Sequence, residues 1–337
     1  MAGDYIIFSP QHLNRIPQSY TISGISARWE VCRGEGWDGI IGNVIDMEDR
    51  MKSGLVLEGG AMRGLFTAGV LDVWMERGLT FDGLIGVSAG ACIGCNYKSH
   101  QPGRVIRYNR RFARDPRYCS WSSLLRTGDL FGATFCYHTL PDELDPFDRE
   151  TFAADPMAFH VVTTDCFTGC PVYTRLDAID FEALEWIRAS ASMPVVAHPV
   201  AVGGSLHLDG GLSDGIPLRY FESIGYGRNV VITTRPHGYR KFPSWKTALA
   251  KPFLRKFPAV YAALASRHEW YNGTLAYIDE RVAAGAALLV APEAPLPIHR
   301  VCHDPEQMQI VYELGWRAGV ANLDRVKAFC GVSANRC

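Results

Sequence analysis

Two short apolar runs, each feeding a helical pattern, set the architecture that the chain predicts. Gly54-Leu55-Val56-Leu57 is brief and rich in β-formers, and beyond Arg63 the residues Leu65, Phe66, Val70, Leu71 and Trp74 recur at helical spacing on one broad face. Gly78 then stands where a helix stop is expected. The second run, Leu84-Ile85-Gly86-Val87, enters the small-residue segment Ser88-Ala89-Gly90-Ala91-Cys92, which suits a tight strand-to-helix turn and close helix packing. Much farther on, Leu206-His207-Leu208 alternates and ends in Asp209-Gly210-Gly211, a strand end that presents a carboxylate. The region after Ala259 reads as helical and apolar, Ala286 to Val290 as a buried strand or short helix, and Glu306 to Phe329 as a closing amphipathic helix. Residues 1–50 show little sustained periodicity and are expected to be a poorly structured N-terminal extension, with Met51 as an alternative start.

The glycines around these turns carry the chemistry. In Gly86-Val87-Ser88-Ala89-Gly90 a serine on a strand-to-helix elbow is held clear of its neighbours, and backbone N–H groups at the helix start face any oxyanion formed there. The loop Gly59-Gly60-Ala61-Met62-Arg63-Gly64 follows the first strand in the same way. Each feature has a blander reading: a glycine-rich turn in an α/β sheet for the elbow, and an Asx-turn for Asp209. A dinucleotide-binding entry also begins with strand, glycine loop and helix, but G-x-G-x-x-G fails at Ala61 and leaves Ser88 and Asp209 unexplained.

The combination resembles the patatin-like phospholipases, in particular their bacterial members. The resemblance spans about Ser53 to Lys241 and rests on four motifs in order: Gly59 to Gly64, Gly86 to Gly90, Arg188-Ala189-Ser190-Ala191-Ser192-Met193-Pro194, and Asp209-Gly210-Gly211 followed by Ile216-Pro217. It implies an α/β fold, a three-layer α/β/α sandwich with a mainly parallel central sheet. The catalytic domain would occupy residues 51–300, with a helical segment at 301–337 packed on it. It further implies a serine lipid acyl hydrolase of phospholipase A or lysophospholipase type, working through an acyl-enzyme without cofactor or metal. Carried onto this chain, Ser88 is the nucleophile and Asp209 the proton acceptor. Gly59, Gly60, Ala61, Met62, Arg63 and Gly64 form the oxyanion hole through their backbone, and Gly86, Gly90, Gly210 and Gly211 complete the motifs. Ser190, Ser192 and Pro194 take structural roles. Acyl transfer on the same dyad, or a catalytically silent scaffold, are the alternatives. Two positions depart from the family pattern: Ala61 replaces a frequent glycine and Gly215 a frequent asparagine. If position 61 requires a positive φ, alanine costs about 1–2 kcal/mol there.

Composition narrows the rest. A chain of 337 residues with 47% apolar content can bury one large α/β core, and its net charge of -1 gives no reason to expect a nucleic-acid partner. Met1 to Asn14 lacks the pattern of a signal peptide, and Glu58, Arg63, Asp72 and Pro292 interrupt the longer apolar stretches, so a cytoplasmic protein is expected. Ten cysteines include Cys92-x-x-Cys95 and Cys166-x-x-x-Cys170, whose spacing invites zinc, yet packing behind Ser88 and reduced thiols account for them better. A Ser-acid-His triad would have to draw on His207, His237, His268, His299 or His303, none in a recognisable setting. Two basic stretches suggest how substrate is approached. Arg104, Arg107, Arg111 and Arg114 share a helix face, and from Arg235 to Lys256 the cations Arg235, Arg240, Lys241, Lys246, Lys251, Arg255 and Lys256 alternate with Phe242, Trp245, Leu249, Phe253 and Leu254. The second reads either as peripheral contact with an anionic membrane or as a solvated basic face beside a lid.

Overall fold

The structure, a computed structural model, describes residues 51–331; the extension expected over residues 1–50 and the last residues, 332–337, lie outside them. β1 (Ser53–Leu57) runs through a 3-10 turn at Ala61–Arg63 into α1 (Gly64–Glu76), and β2 (Gly83–Val87) turns at Ser88 into α2 (Ala89–Lys98). An excursion of α3 (Arg104–Phe112), α4 (Trp121–Thr127) and a π-helical segment, Phe135–Leu144, precedes α5 (Arg149–Ala154), β3 (Ala158–Asp165) and β4 (Pro171–Arg175). α6 (Phe181–Ala191), β5 (Val200–Val202) and β6 (Ser205–Asp209) follow, then α7 (Leu218–Ser223) and β7 (Arg228–Ile232). The chain closes with α8 (Lys246–Ala250), α9 (Pro258–Ala283), β8 (Ala287–Val290) and α10 (Pro305–Cys330).

The strands form one eight-stranded sheet in the order β5-β6-β3-β2-β1-β7-β8, with β4 paired to β3. The pairs β1–β2, β1–β7, β2–β3 and β7–β8 are parallel, whereas β4, β5 and β6 add antiparallel pairings at one end. Because side chains alternate along a strand, each central strand feeds two cores. Leu55, Leu57, Leu84, Phe159, Val161, Val230 and Ile232 join one core, with α1, α2 and α10 residues such as Leu65, Ile93 and Val311. Val56, Ile85, Val87, Val162 and Val231 join the other, with Leu218 and Phe221 of α7 and Tyr271 and Ile278 of α9. Helices therefore flank both faces, the three-layer arrangement expected from the sequence.

α1 is apolar almost all round because it is enclosed twice, by the sheet and by α10; every residue from Gly64 to Trp74 is buried. Glycines let the two helices approach: a Cβ on Gly69 would strike the backbone of α10 at Tyr312, and one on Gly315 the backbone of α1 at Phe66. Two buried bonds seal the seam, Trp74 Nε1 donating to the Gly319 carbonyl at 3.1 Å and the Tyr312 hydroxyl to Asp72 Oδ2 at 2.8 Å.

The arginines of α3 have structural partners that their spacing does not announce. Arg104 is buried and donates to the Asn96 side chain at 2.7 Å and to the Asp145 carbonyl, Arg107 grips the Asp145 carboxylate with two bonds of 2.8 Å, and Arg111 reaches the Leu144 carbonyl at 2.9 Å. They satisfy the C-terminal end of the π-helical segment, a structural task that helical periodicity alone does not reveal.

Gly315→Leu is expected to destabilise the protein by about 1–3 kcal/mol or more, since the new side chain has only backbone to displace. Urea denaturation measures this, and an unchanged midpoint would contradict the described helix contact.

Candidate active site

Strand register brings the two key residues together. β4 occupies one edge of β3 from His160 to Thr164, so β2 and β6 must share the other edge. There Val87, the last residue of β2, pairs with Val162, and Asp209, the last residue of β6, pairs with the next residue, Thr163. The two strands run head to head, and the residue that follows β2 meets the residue that ends β6. The Ser88 hydroxyl accordingly donates to Asp209 Oδ2 at 2.7 Å.

Both backbones are pinned by the end of α6. Ser88 adopts φ 55° and ψ -123°, a conformation that L-residues rarely take and that costs about 1–3 kcal/mol unless its surroundings enforce it. Its N–H donates to Ser190 Oγ at 2.8 Å, and that hydroxyl donates in turn to the Val162 carbonyl of β3 at 2.6 Å. The Asp209 N–H donates to the Ser192 carbonyl at 2.8 Å. The turn also needs tight packing, for a Cβ on Gly90 would lie 2.6 Å from the Leu57 carbonyl and one on Gly86 2.6 Å from the Ala91 nitrogen.

Asp209 is 2% exposed, and its other carboxylate oxygen accepts from the Gly211 N–H, in the 3-10 turn Gly210–Leu212, at 2.7 Å. Burial raises its pKa above the usual carboxylate value, against the opposing pull of Arg267, the Ser88 hydroxyl, the Gly211 N–H and Arg300. A carboxylate so placed is a stronger base than a solvated aspartate, and it faces a single hydroxyl.

The Gly59–Gly64 loop lies against this pair: a Cβ on Gly59 would come within 2.9 Å of Ser88 Cβ. Ala61 has φ 50°, so the strain anticipated for alanine at this position is present. The loop's donors are not equivalent. The Met62 N–H donates to the Arg300 carbonyl at 3.5 Å, the Arg63 N–H to Gly60 at 3.2 Å, and the Gly64 N–H to Ala61. These three are engaged in holding the loop, which narrows the expected set of six to the N–H groups of Gly59, Gly60 and Ala61.

Around Ser88 and Asp209 stands a charged cluster drawn from distant parts of the chain. Buried Glu58 accepts from the Tyr271 hydroxyl at 2.6 Å and from Thr234 Oγ1 at 3.0 Å. Lys241 Nζ sits 3.7 Å from the Tyr271 ring centroid, and Asn272 clamps the Lys241 backbone with two bonds of 2.8 Å. Burial, with Arg267, Arg300 and Arg63 nearby, lowers Lys241 to about 7 despite the attraction of Glu58. Arg63 is lowered to about 10, chiefly by burial and then by Arg235. The acid-free run from Arg235 to His268 is the sequence signal that could have found three of these cations; Arg300 has none.

The histidines proposed for a triad lie elsewhere. His207 contacts Thr163 Oγ1 at 3.1 Å, His237 pairs with Asp279, His268 contacts the Ala265 carbonyl, His303 the Ala113 carbonyl, and His299 lines a neighbouring cavity. Cys92 and Cys95 are neutral packing groups, pushed up to about 11 and about 12 by burial. Cys170 is disulfide-bonded whereas Cys166 is a free buried thiol, which departs from the expectation of uniformly reduced cysteines and leaves no Cys166–Cys170 thiol pair.

Comparison with known proteins places this geometry in a family context. The model of the family described as patatin-like phospholipase matches residues 55–222, and that of a domain of unknown function (DUF6363) matches residues 257–331. The chain is 30% identical over 199 residues to YjjU of Escherichia coli K12, covering 57% of this chain and 54% of that protein. It is 29% identical over 178 residues to lysophospholipase NTE1 of Debaryomyces hansenii, covering 51% of this chain and 11% of that protein. The crystal structure of VipD from Legionella pneumophila aligns with a TM-score of 0.40 at 13% identity, over 82% of this chain and 67% of that one. The matched region thus spans about half of the first of these relatives and a small part of the second.

Ser190→Ala removes both bonds that tie the turn to β3, and a stability loss of about 1–3 kcal/mol is expected from the buried groups left unpaired. Chemical denaturation tests this; a variant as stable as the parent would show that Ser190 does not hold the turn.

Proposed function

Because residues 55–222 belong to the patatin-like phospholipase family, we propose that this protein is a serine lipid acyl hydrolase working through a Ser88–Asp209 dyad. The observation that carries the reading is the 2.7 Å hydrogen bond between a serine in a strained strand-to-helix turn and a buried aspartate of raised basicity. Ser88 attacks the ester carbonyl as its proton passes to Asp209. The tetrahedral oxyanion is held by the N–H groups of Gly60 and Ala61 with those at the start of α2, and collapse expels the alcohol, which takes the proton from Asp209. Water then hydrolyses the acyl-enzyme by the same route, with Asp209 again as base. Arg267 and Arg300 oppose the effect of burial and favour the ionised, proton-accepting form of Asp209. The substrate is a phospholipid, lysophospholipid or related acyl ester.

Steady-state hydrolysis of a p-nitrophenyl ester series tests the reading. Ser88→Ala and Asp209→Asn are each expected to lower kcat by about 10³-fold or more. The base must be deprotonated, so kcat/KM of the parent is expected to rise with pH through a limb displaced upward from 3.8, the ordinary aspartate value. Full activity in Asp209→Asn would remove Asp209 from the mechanism.

Access to lipid is proposed to come from the segment before α9. Phe242 and Trp245 are 79% and 74% exposed, and Leu249 and Phe253 are also exposed, among Arg240, Lys251, Arg255 and Lys256. Pro243, Pro252 and Pro258 break this stretch into short pieces, so its apolar side chains project from a folded surface patch rather than from one long helix. No described helix is long and apolar enough to cross a membrane. The patch fits peripheral contact with an anionic bilayer. Sedimentation with anionic vesicles is expected to show binding weakened on the order of tenfold in Phe242→Ser/Trp245→Ser/Phe253→Ser; unchanged binding would reject this surface.

A further inference from the structure

At Arg63, in the loop that packs on Ser88, opens a cavity of about 480 Å³, a volume suited to a small ligand or head group; its polar lining is dominated by Arg63, Arg235 and Arg300, with His299 and Gln307. Among the described residues no acidic side chain lines it. Arg63 is only 8% exposed, and its Nε has no hydrogen-bond partner among the described residues. The nearby carboxylate, Glu58, has its oxygens engaged by Tyr271 and Thr234. Three guanidinium groups gathered at one cavity, one of them buried, repel one another, and an anion seated among them relieves that repulsion. Burial and mutual repulsion leave their mark: Arg300 is lowered by desolvation and then by Arg267 and Arg235, as Arg63 is by Arg235.

The cavity is also coupled to the proposed chemistry. The Arg300 carbonyl accepts the Met62 N–H, so the wall of the cavity is joined to the loop that covers Ser88. Arg300 is close enough to Asp209 to favour its ionised form.

We infer that this cavity receives the phosphate of an acyl-ester substrate and selects anionic head groups, such as a phosphomonoester, over zwitterionic ones. The inference rests on the hydrolase reading above for the word substrate, though not for the binding itself. Three planar forks match a group with several equatorial oxygens better than they match a carboxylate. A head group that carries a quaternary ammonium brings a cation into a lining that, among the described residues, offers it no carboxylate, and the three arginines repel it.

The test is equilibrium binding to the Ser88→Ala protein, in which no turnover is required, by calorimetry at low ionic strength with three hexanoyl ligands below their aggregation limits. Hexanoyl lysophosphatidate is expected to bind at least about tenfold more tightly than hexanoyl lysophosphatidylcholine or monohexanoylglycerol, the size of one charge-assisted contact. In Arg235→Gln and in Arg300→Gln, each checked for folding by circular dichroism, that preference is expected to shrink severalfold. Equal affinity for the three ligands, or an undiminished preference in both variants, would overturn the proposal. Inorganic phosphate binding as tightly as the lysophosphatidate would overturn the head-group assignment, since the cavity would then be a site for a free anion. A Ser88 parent that hydrolyses no ester while the preference persists would contradict the hydrolase reading and support the cavity's selectivity.

Discussion

The structure depends on a shared strand edge. β3 offers one edge to two strands that arrive from opposite directions, β2 ending opposite Val162 and β6 ending opposite Thr163. That adjacency converts residues 121 positions apart into hydrogen-bonded neighbours. A one-residue slip of β6 would turn Asp209 to the other face of the sheet and separate the pair. The hydroxyl of Ser190 and the carbonyl of Ser192 act on the same junction, one on each partner, so the end of α6 fixes both backbones relative to β3. The strain at Ser88 is sustained by this framework, and the glycines at 86 and 90 leave the space for it.

Electrostatics at the junction work in opposition. Burial makes the Asp209 carboxylate reluctant to ionise, while Arg267, Arg300 and two short donors favour the charge. The outcome is a base stronger than a solvated aspartate, which the proposed chemistry requires in the absence of a bonded histidine. The same arginines, with Arg63, Arg235 and Lys241, make the surroundings of Ser88 and Asp209 cationic although the chain as a whole is nearly neutral. Local charge, not net charge, is what a negatively charged substrate would meet.

Much of this was legible from sequence where the signal is local. Strand, glycine turn and helix follow one another within a few residues at both Gly59–Gly64 and Gly86–Gly90, and periodicity marked α1 and α10, while Ala286 to Val290, open between strand and short helix, is the strand β8. Asp209 stood out because a strand ended on it. Arg63, Arg235 and Lys241 were picked out one by one, but their convergence with Glu58 was not legible, since Glu58 meets Tyr271 across 213 residues and no spacing encodes that contact. Helical spacing was silent at α3 on what its arginines meet, which is the carbonyl end of the π-helical segment. The loop donors show a further limit, because only the folded backbone reveals that Met62, Arg63 and Gly64 already have partners.

The central claim is that Ser88 is activated by Asp209, and the most direct measurement is the site and rate of covalent labelling by a fluorophosphonate probe, read by peptide mass spectrometry. The account predicts a single adduct on the peptide carrying Ser88, formed at a rate that falls by orders of magnitude in Asp209→Asn while the fold is retained. An adduct on another residue, or labelling of Ser88 at the parent rate in Asp209→Asn, would contradict it.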